Sequence, residues 1–265
     1  MILLRAISAT ATTLTRTTQV SRQSLFRFPH SPLRLGSRLS SSTMASSQVP
    51  SRRLQHPVVF VCDLQDKFRN AIWQFDKVLL TTQKVLRAAQ ILKIPIFVTT
   101  QNAPKLGGVV PELLPFLETA TLQTDKTLFS MVTPTIRHHP LIATRQDETE
   151  TEPETETETE TPKPKREVVI VGIESHICVT QTALDLLSLG HTVYVLADGV
   201  SSCNAQEIPV ALDRLRHAGA VVTTSESWLY EVVGDAGIAE FREVARLVKE
   251  VGAETKMVLK GLLGG

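Results

Sequence analysis

The segment that most restricts the fold is the continuous apolar run Glu167–Ile173, which is followed directly by residues with helical spacing. Such a run is typical of a strand buried on both faces of a parallel sheet, and residues 178–187 carry apolar side chains at helical intervals. Cys178 therefore lies where a buried strand gives way to a helix, at the edge where open α/β sheets place their ligands. A helix N-terminus favours a thiolate and an oxyanion, so position alone makes Cys178 a candidate nucleophile.

The same alternation of strands and helices runs along the rest of the chain. Apolar runs predict strands at 57–62, 94–99, 191–198 and 220–224, with an edge element that leads from Leu122 into 125–130. Helical spacing predicts helices at 76–92, 109–117, 206–217, 227–233 and 238–251. This alternation predicts a three-layer α/β/α fold around a doubly wound, mostly parallel sheet. We expect one domain over residues 56–252, followed by a C-terminal tail at 253–265.

The amino-terminal segment has a different composition. Residues 1–55 contain eight arginines and many Ser and Thr, but no Asp, Glu or Lys. This composition is typical of a mitochondrial transit peptide, and a disordered basic tail is the alternative. We therefore expect residues 1–50 to be a transit peptide or disordered, and the protein to reside in the mitochondrial matrix. Met44 offers an internal start that yields a shorter cytosolic form.

A second segment without a fold is predicted inside the domain. Residues 147–161 alternate Glu and Thr almost throughout and carry eight acidic side chains. The alternation offers no apolar face and its like charges repel, so we interpret 146–166 as a disordered, solvated insert. Low-complexity expansion accounts for it, with an interaction surface as the alternative.

Charge, cysteine content and hydropathy exclude several classes of partner. The formal charge is +1 for the whole chain and −5 without residues 1–43, which hold six arginines and no acid. A mildly acidic core gives no reason to expect nucleic acid as a partner. The three cysteines lack paired spacing, which indicates a reducing compartment without a disulfide framework. No apolar run is long enough for a transmembrane helix, so no membrane partner is expected.

Three reactive residues fall just beyond predicted strands. Asp63 follows the first strand, Lys126 lies near the third and Cys178 follows the fourth. Because the ends of parallel strands meet at one edge of a sheet, these side chains can converge there. Asp63 would serve as the base for the thiol, and Lys126 would hold the carboxylate and favour the thiolate. The alternatives are a helix cap for Asp63 and a surface pair with Asp125 for Lys126.

The segments around these residues resemble the three motifs of the isochorismatase-like cysteine hydrolases. The motifs are Cys62–Phe68, Thr124–Ser130 and Gly172–Val179, within a resemblance that spans roughly residues 56–250. Within this family, the chain resembles the mitochondrial-type branch of isochorismatase domain-containing proteins. The resemblance implies that Asp63, Lys126 and Cys178 correspond to the family's Asp-Lys-Cys triad.

The resemblance has further implications for the site. It implies a cis peptide bond between Ile173 and Glu174, and an oxyanion hole formed by the backbone N–H groups of Glu174 and Cys178. It also implies that the protein self-associates. We expect a pocket for a small-molecule substrate lined by Gln65, Phe68, Gln101, Phe129 and His176. The alternative is that His176 acts as a base and does not line the pocket.

Departures from related families narrow the expected chemistry. Thr99–Pro104 lacks the Asp-x-His metal motif that nicotinamidases carry there, and no histidine lies between His56 and His138, so neither a metal nor a cofactor is expected. Isochorismatases that cleave a vinyl ether do not need a cysteine nucleophile, so Cys178 favours acyl chemistry. Gly172–His176 lacks the glycines of a dinucleotide fingerprint.

The sequence therefore predicts a metal-independent cysteine hydrolase that cleaves a small amide or related acyl substrate through a thioester. The alternatives are a non-catalytic binding protein and a redox-sensing thiol protein. Cys62, inside a predicted strand, is interpreted as a small buried hydrophobe. Cys203 is interpreted as an incidental loop residue, with a sensor thiol as the alternative.

Overall fold

A six-stranded sheet forms the centre of the domain. The computed structural model describes residues 53–144 and 164–264, so the predicted transit peptide and most of the predicted acidic insert lie outside the described residues. The strand order is β3-β2-β1-β4-β5-β6, and every neighbouring pair is parallel. The strands are β1 Pro57–Cys62, β2 Ile96–Gln101, β3 Leu122–Lys126, β4 Glu167–Ile173, β5 Thr192–Ser201 and β6 Val221–Thr223.

Helices connect these strands. They are α1 Phe75–Leu92, α2 Ala103–Leu106, α3 Leu114–Leu117, α4 Pro134–Arg137, α5 Thr180–Ser188, α6 Glu207–His217, α7 Ser225–Val233, α8 Phe241–Glu250 and α9 Gly252–Leu262. Two short 3-10 turns lie at Asp66–Phe68 and Pro111–Leu113, and a π-helical turn, Ser175–Val179, joins β4 to α5.

Alternate residues of each strand enter two different cores. In β1, Val59 and Val61 join a cluster with α1, α7 and α8, whereas Phe60 and Cys62 join a cluster with α5 and α6. All four side chains are fully buried. Both faces of the sheet are thus covered by helices, which explains why the strands are continuous apolar runs and confirms the predicted three-layer α/β/α fold.

Proline alters one predicted helix. The segment predicted as a helix at 109–117 forms instead a 3-10 turn, Pro111–Leu113, and the short helix α3. Pro111 and Pro115 lack backbone N–H groups, so each is tolerated only at the start of a helix. Both lie in the first turn of their elements.

The structure differs from the sequence expectation in two segments, the predicted C-terminal tail and the end of the predicted insert. Gly252–Leu262, within the predicted tail, is the helix α9, which packs on α1 and fully buries Val258. Only Thr255 and Val258 of this helix are buried, so its apolar periodicity is weak. Arg166, the last residue of the predicted insert, is anchored because its Nε donates to the carbonyl oxygen of Leu141 at 2.8 Å.

Within the described ranges, none of the helices combines the length and the apolar character that crossing a bilayer requires.

Gly172 allows β1 and β4 to lie close together at the edge of the sheet that carries the predicted site. Its φ is +117°, and a Cβ atom placed there would lie 2.1 Å from the carbonyl oxygen of Cys62. A side chain at this position would meet both a backbone clash and an unfavourable φ.

We therefore expect Gly172→Ala to lower the free energy of unfolding by about 3 kcal/mol or more, from the clash and the φ together. Urea denaturation measures the change. The matched control is Gly108→Ala, because a Cβ atom at Gly108 has no neighbour within 4 Å. Equal midpoints for the two variants would contradict the role assigned to Gly172.

Candidate active site

The three predicted catalytic residues meet at the carboxyl edge of the sheet. Asp63 follows β1 directly, Lys126 is the last residue of β3, and Cys178 lies on the π-helical turn after β4. Asp63 has a φ of +51°, a conformation that Asp tolerates better than most residues, and its N–H donates to the carbonyl oxygen of Thr99 at 3.2 Å. The parallel sheet therefore brings together residues that are far apart in sequence.

Lys126 and Asp63 form a buried ion pair. Lys126 Nζ lies 2.7 Å from Asp63 Oδ2, and the two side chains are 0% and 2% exposed. The other carboxylate oxygen, Oδ1, accepts a hydrogen bond from Thr99 Oγ1 at 2.8 Å. The carboxylate is thus held by an ammonium and a hydroxyl, and its orientation is fixed.

The ammonium of Lys126 also contacts groups on three other segments. Nζ lies 2.6 Å from Gln101 Oε1 and 3.1 Å from each of the carbonyl oxygens of Leu128 and Phe129. It lies 3.9 Å from Cys178 Sγ. The ammonium therefore contacts both the carboxylate of Asp63 and the thiol of Cys178.

The turn that carries Cys178 is held on both sides. The peptide bond between Ile173 and Glu174 is cis, and the carbonyl oxygen of Glu174 accepts from the N–H groups of Ile177 and Val179 at 3.1 Å each. Thr182 Oγ1 donates to the carbonyl oxygen of Cys178 at 2.6 Å and accepts from the N–H of Met131 at 2.8 Å. The turn is thereby tied to the segment that follows Lys126.

Cys62 lies next to the candidate nucleophile. Its Sγ is 3.6 Å from Asp63 Oδ2, and a ligand atom from each of Cys62, Asp63 and Cys178 lies within 4.8 Å of the other two. Burial, followed by a hydrogen bond with Cys178 and the nearby Asp63 charge, raises the pKa of the Cys62 thiol well above its usual value. Cys62 is therefore a neutral thiol, in agreement with its interpretation as a small buried hydrophobe.

The predicted pocket residues lie in different surroundings. Gln65 is fully buried, and its amide group bonds to backbone groups of Gln101 and Gly107. Gln101 contacts Lys126, whereas Phe68 packs against the core. Phe129 is exposed, and His176 is half-buried with its Nδ1 2.9 Å from Ser202 Oγ. Gln101 thus contacts the ion pair and Gln65 holds the backbone of Gln101, and a pocket role for the five residues stays a prediction.

A second cluster of reactive side chains was not anticipated from the sequence. Glu174, His176 and Cys203 each place a ligand atom within 4.8 Å of the other two. The N–H of Cys203 donates to Glu174 Oε2 at 2.8 Å, and His176 Nδ1 lies 4.0 Å from the same oxygen. Cys203 comes from the loop after β5, 27 residues beyond His176, so no linear spacing signals the cluster.

Two groups of side chains in the described part of the chain therefore have the composition of a metal site. In the first, Cys62, Asp63 and Cys178, the ammonium of Lys126 already supplies the cation. In the second, Glu174, His176 and Cys203, the structure shows no such ammonium contact among the described residues.

Comparison with protein families identifies an isochorismatase domain over residues 57–227, which is more than half of the chain. The secreted isochorismatase effector Isc1 of Phytophthora sojae is 37% identical over 195 residues, which cover 73% of this chain and 84% of that protein. Human isochorismatase domain-containing protein 2 is 36% identical over 78% of this chain and 87% of its own length. The chain spans 64% of isochorismatase domain-containing protein 1 of Salmo salar.

Solved structures share the fold. The MAR1 ribonuclease structure from Caenorhabditis elegans matches with a TM-score of 0.60 and 36% identity, over 73% of this chain and 90% of that one. YcaC from Pseudomonas aeruginosa matches with a TM-score of 0.54 and 17% identity, over 79% of this chain and 90% of that one. The second match bears on the fold alone.

The Glu174 carboxylate determines how the Cys203 thiol titrates. A hydrogen bond with Glu174, together with partial burial, raises the pKa of Cys203 above its usual value. At a fixed pH near neutrality less thiolate is present, so we expect Cys203 to alkylate more slowly than a free cysteine. Glu174→Gln removes the negative charge and should shift the pH–rate profile of Cys203 to lower pH.

Alkylation by iodoacetamide, resolved by peptide mass spectrometry, measures this rate at Cys203. Glu226→Gln, which changes an acid on α7, is the control. A pH profile of Cys203 that does not move in Glu174→Gln would contradict the electrostatic assignment.

Proposed function

The chain belongs to the isochorismatase family, which supports a hydrolase in general, and we propose that it is a metal-independent cysteine hydrolase acting on a small amide or related acyl substrate. The observation that carries the proposal is Lys126 Nζ, which lies 2.7 Å from Asp63 Oδ2 and 3.9 Å from Cys178 Sγ. One buried ammonium thereby connects a carboxylate with a thiol. Such an arrangement of a nucleophile, a base and an orienting group is typical of covalent catalysis.

The first half-reaction forms a thioester. Asp63 accepts the proton of the Cys178 thiol, sulfur bonds to the substrate carbonyl carbon, and the carbonyl electron pair moves to oxygen. The backbone N–H groups of Glu174 and Cys178 are the proposed donors to that oxyanion. When the tetrahedral intermediate collapses, the carbon–nitrogen bond breaks and Asp63 returns the proton to the leaving amine.

The second half-reaction releases the acid. Asp63 accepts a proton from water while the oxygen of that water attacks the thioester carbonyl carbon. Collapse then breaks the carbon–sulfur bond, and Asp63 returns that proton to the departing thiolate of Cys178. Lys126 keeps the carboxylate oriented through both steps, because its other contacts are fixed backbone and amide oxygens. The cationic position beside the thiol is held by this ammonium, so the proposed steps need no metal ion.

Two relatives suggest other reactions for comparison. The Phytophthora sojae relative is named an isochorismatase effector, and the Caenorhabditis elegans structure is that of a ribonuclease. A buried thiol beside an acid–ammonium pair favours acyl chemistry over cleavage of a vinyl ether. A formal charge of −5 beyond residue 43 gives an RNA backbone no general attraction. Isochorismate and RNA should therefore be tested in one substrate panel beside small amides and esters.

We expect Cys178→Ala to abolish turnover of the best amide or ester in that panel, with a loss of about a thousandfold or more. Cys62→Ala, which removes the adjacent but neutral thiol, should remain active. Steady-state kinetics and trapping of the acyl-enzyme by mass spectrometry measure the two effects. Turnover that survives Cys178→Ala, or activity confined to RNA, would overturn the proposal.

Asp63→Asn tests the base separately. Asn tolerates the φ of +51° at this position, but the variant leaves the buried Lys126 without its counter-charge, so kcat is taken per folded protein as measured by circular dichroism. We expect kcat to fall by about 10²–10⁴-fold, the usual contribution of a general base. Asp125→Asn is the matched control, because that exposed carboxylate adjoins Lys126 in sequence and bonds to Ala103 and Thr100. Equal activity of both variants would contradict the role of Asp63.

Self-association and a mitochondrial location are further proposals. Leu128 and Phe129, which follow Lys126, are exposed apolar side chains and supply a surface suited to a second copy of the chain. The Arg-rich, acid-poor composition of residues 1–55 supports the location.

A further inference from the structure

The cluster of Glu174, His176 and Cys203 has the composition of a transition-metal site. A carboxylate oxygen, an imidazole nitrogen and a thiol sulfur each lie within 4.8 Å of the other two. Thiolate and imidazole ligands select zinc-type cations over magnesium or calcium, which prefer oxygen ligands alone. The chemistry of the three side chains therefore specifies the class of ion.

The geometry needs little change to bind such an ion. In a tetrahedral zinc site, bonds of about 2.0–2.3 Å place ligand atoms about 3.5 Å apart. The carboxylate of Glu174 is already held by the N–H of Cys203, and Nδ1 of His176 lies 4.0 Å from the same carboxylate oxygen, Oε2. Because Cys203 is exposed, its side chain can rotate towards the other two without disturbing the core.

The cluster is accessible to an ion from solvent. The side chains of His176 and Glu174 are 25% and 19% exposed, in contrast with the fully buried Lys126. Three protein ligands leave a fourth position for water, as in open zinc sites. The cluster also joins the turn that carries Cys178 to the loop after β5, so an ion would fix these two segments to each other.

We propose that Glu174, His176 and Cys203 form a binding site for Zn²⁺ or a similar divalent transition-metal ion. The ion replaces the thiol proton of Cys203, so binding forms a sulfur–metal bond and releases one proton. This site uses none of the side chains of Asp63, Lys126 and Cys178, but it shares His176 with the predicted pocket and Glu174 with the proposed oxyanion hole. Its test is therefore metal binding itself, which does not require hydrolysis.

Titration with Co²⁺, in a buffer with a non-thiol reductant, tests the site on the full chain. A Co²⁺–thiolate pair gives a charge-transfer absorbance in the near ultraviolet, which we expect in the unmodified protein and in Cys178→Ser. Cys203→Ser should lose the absorbance and weaken Zn²⁺ binding by at least about tenfold. Glu174→Gln and His176→Ala should also weaken Zn²⁺ binding, whereas His138→Ala, which changes an exposed histidine, should not.

A second measurement uses the unmodified protein and is therefore independent of how the variants fold. Added Zn²⁺ should slow alkylation of Cys203 and leave that of Cys178 unchanged, as read from the two peptides by mass spectrometry. Absence of a charge-transfer band overturns the proposal. So does a band that persists in Cys203→Ser and vanishes in Cys178→Ser, because the ion then binds the buried thiol.

Discussion

The buried ion pair between Asp63 and Lys126 is the interaction on which the site depends. Two charges that leave water lose their hydration, and their mutual attraction offsets this loss only when further polar groups surround them. Here Thr99 bonds to the carboxylate, while Gln101 and two backbone carbonyls surround the ammonium. Removing either partner leaves the other charge buried and unpaired, which lowers the free energy of unfolding by about 3–5 kcal/mol. The ends of β1 and β3 are therefore fixed relative to each other by electrostatics as well as by the sheet.

Backbone geometry then brings the thiol to this pair. Gly172 lets β4 approach Cys62 more closely than any side chain would allow, and the π-helical turn that follows presents Cys178. Thr182 ties the carbonyl of Cys178 to Met131, on the segment that leaves Lys126. The thiol is thus positioned by a glycine, a turn and one hydroxyl, and of these the turn also carries a proposed oxyanion donor, the backbone N–H of Cys178. This explains how a distance of 3.9 Å between Lys126 and Cys178 is maintained although two strands, β2 and β1, lie between β3 and β4.

The fold was largely predictable, because buried parallel strands leave long apolar runs and strand–helix alternation restricts the topology. The convergence of Asp63, Lys126 and Cys178 followed from the rule that parallel strands end at one edge. Helix α9 escaped prediction because only Thr255 and Val258 face the core, too few to show a period. The internal hydrogen bonds of Gln65 and the approach of Cys203 to Glu174 depend on loop conformations, and sequence spacing carries no information about these.

The thiols of Cys178 and Cys203 lie in opposite electrostatic surroundings. Cys178 faces a built-in cation, the ammonium of Lys126, whose Nζ lies 3.9 Å from its Sγ. Cys203 faces the Glu174 carboxylate, which raises its pKa and keeps the thiol protonated. A carboxylate and a thiolate that lie side by side repel each other, and a bound cation removes this repulsion. With His176, Glu174 and Cys203 form a ligand set that suits such a cation. Cys178 on the turn Ser175–Val179 therefore lies beside a cation of the protein itself, whereas His176 on the same turn belongs to a cluster suited to a cation from outside.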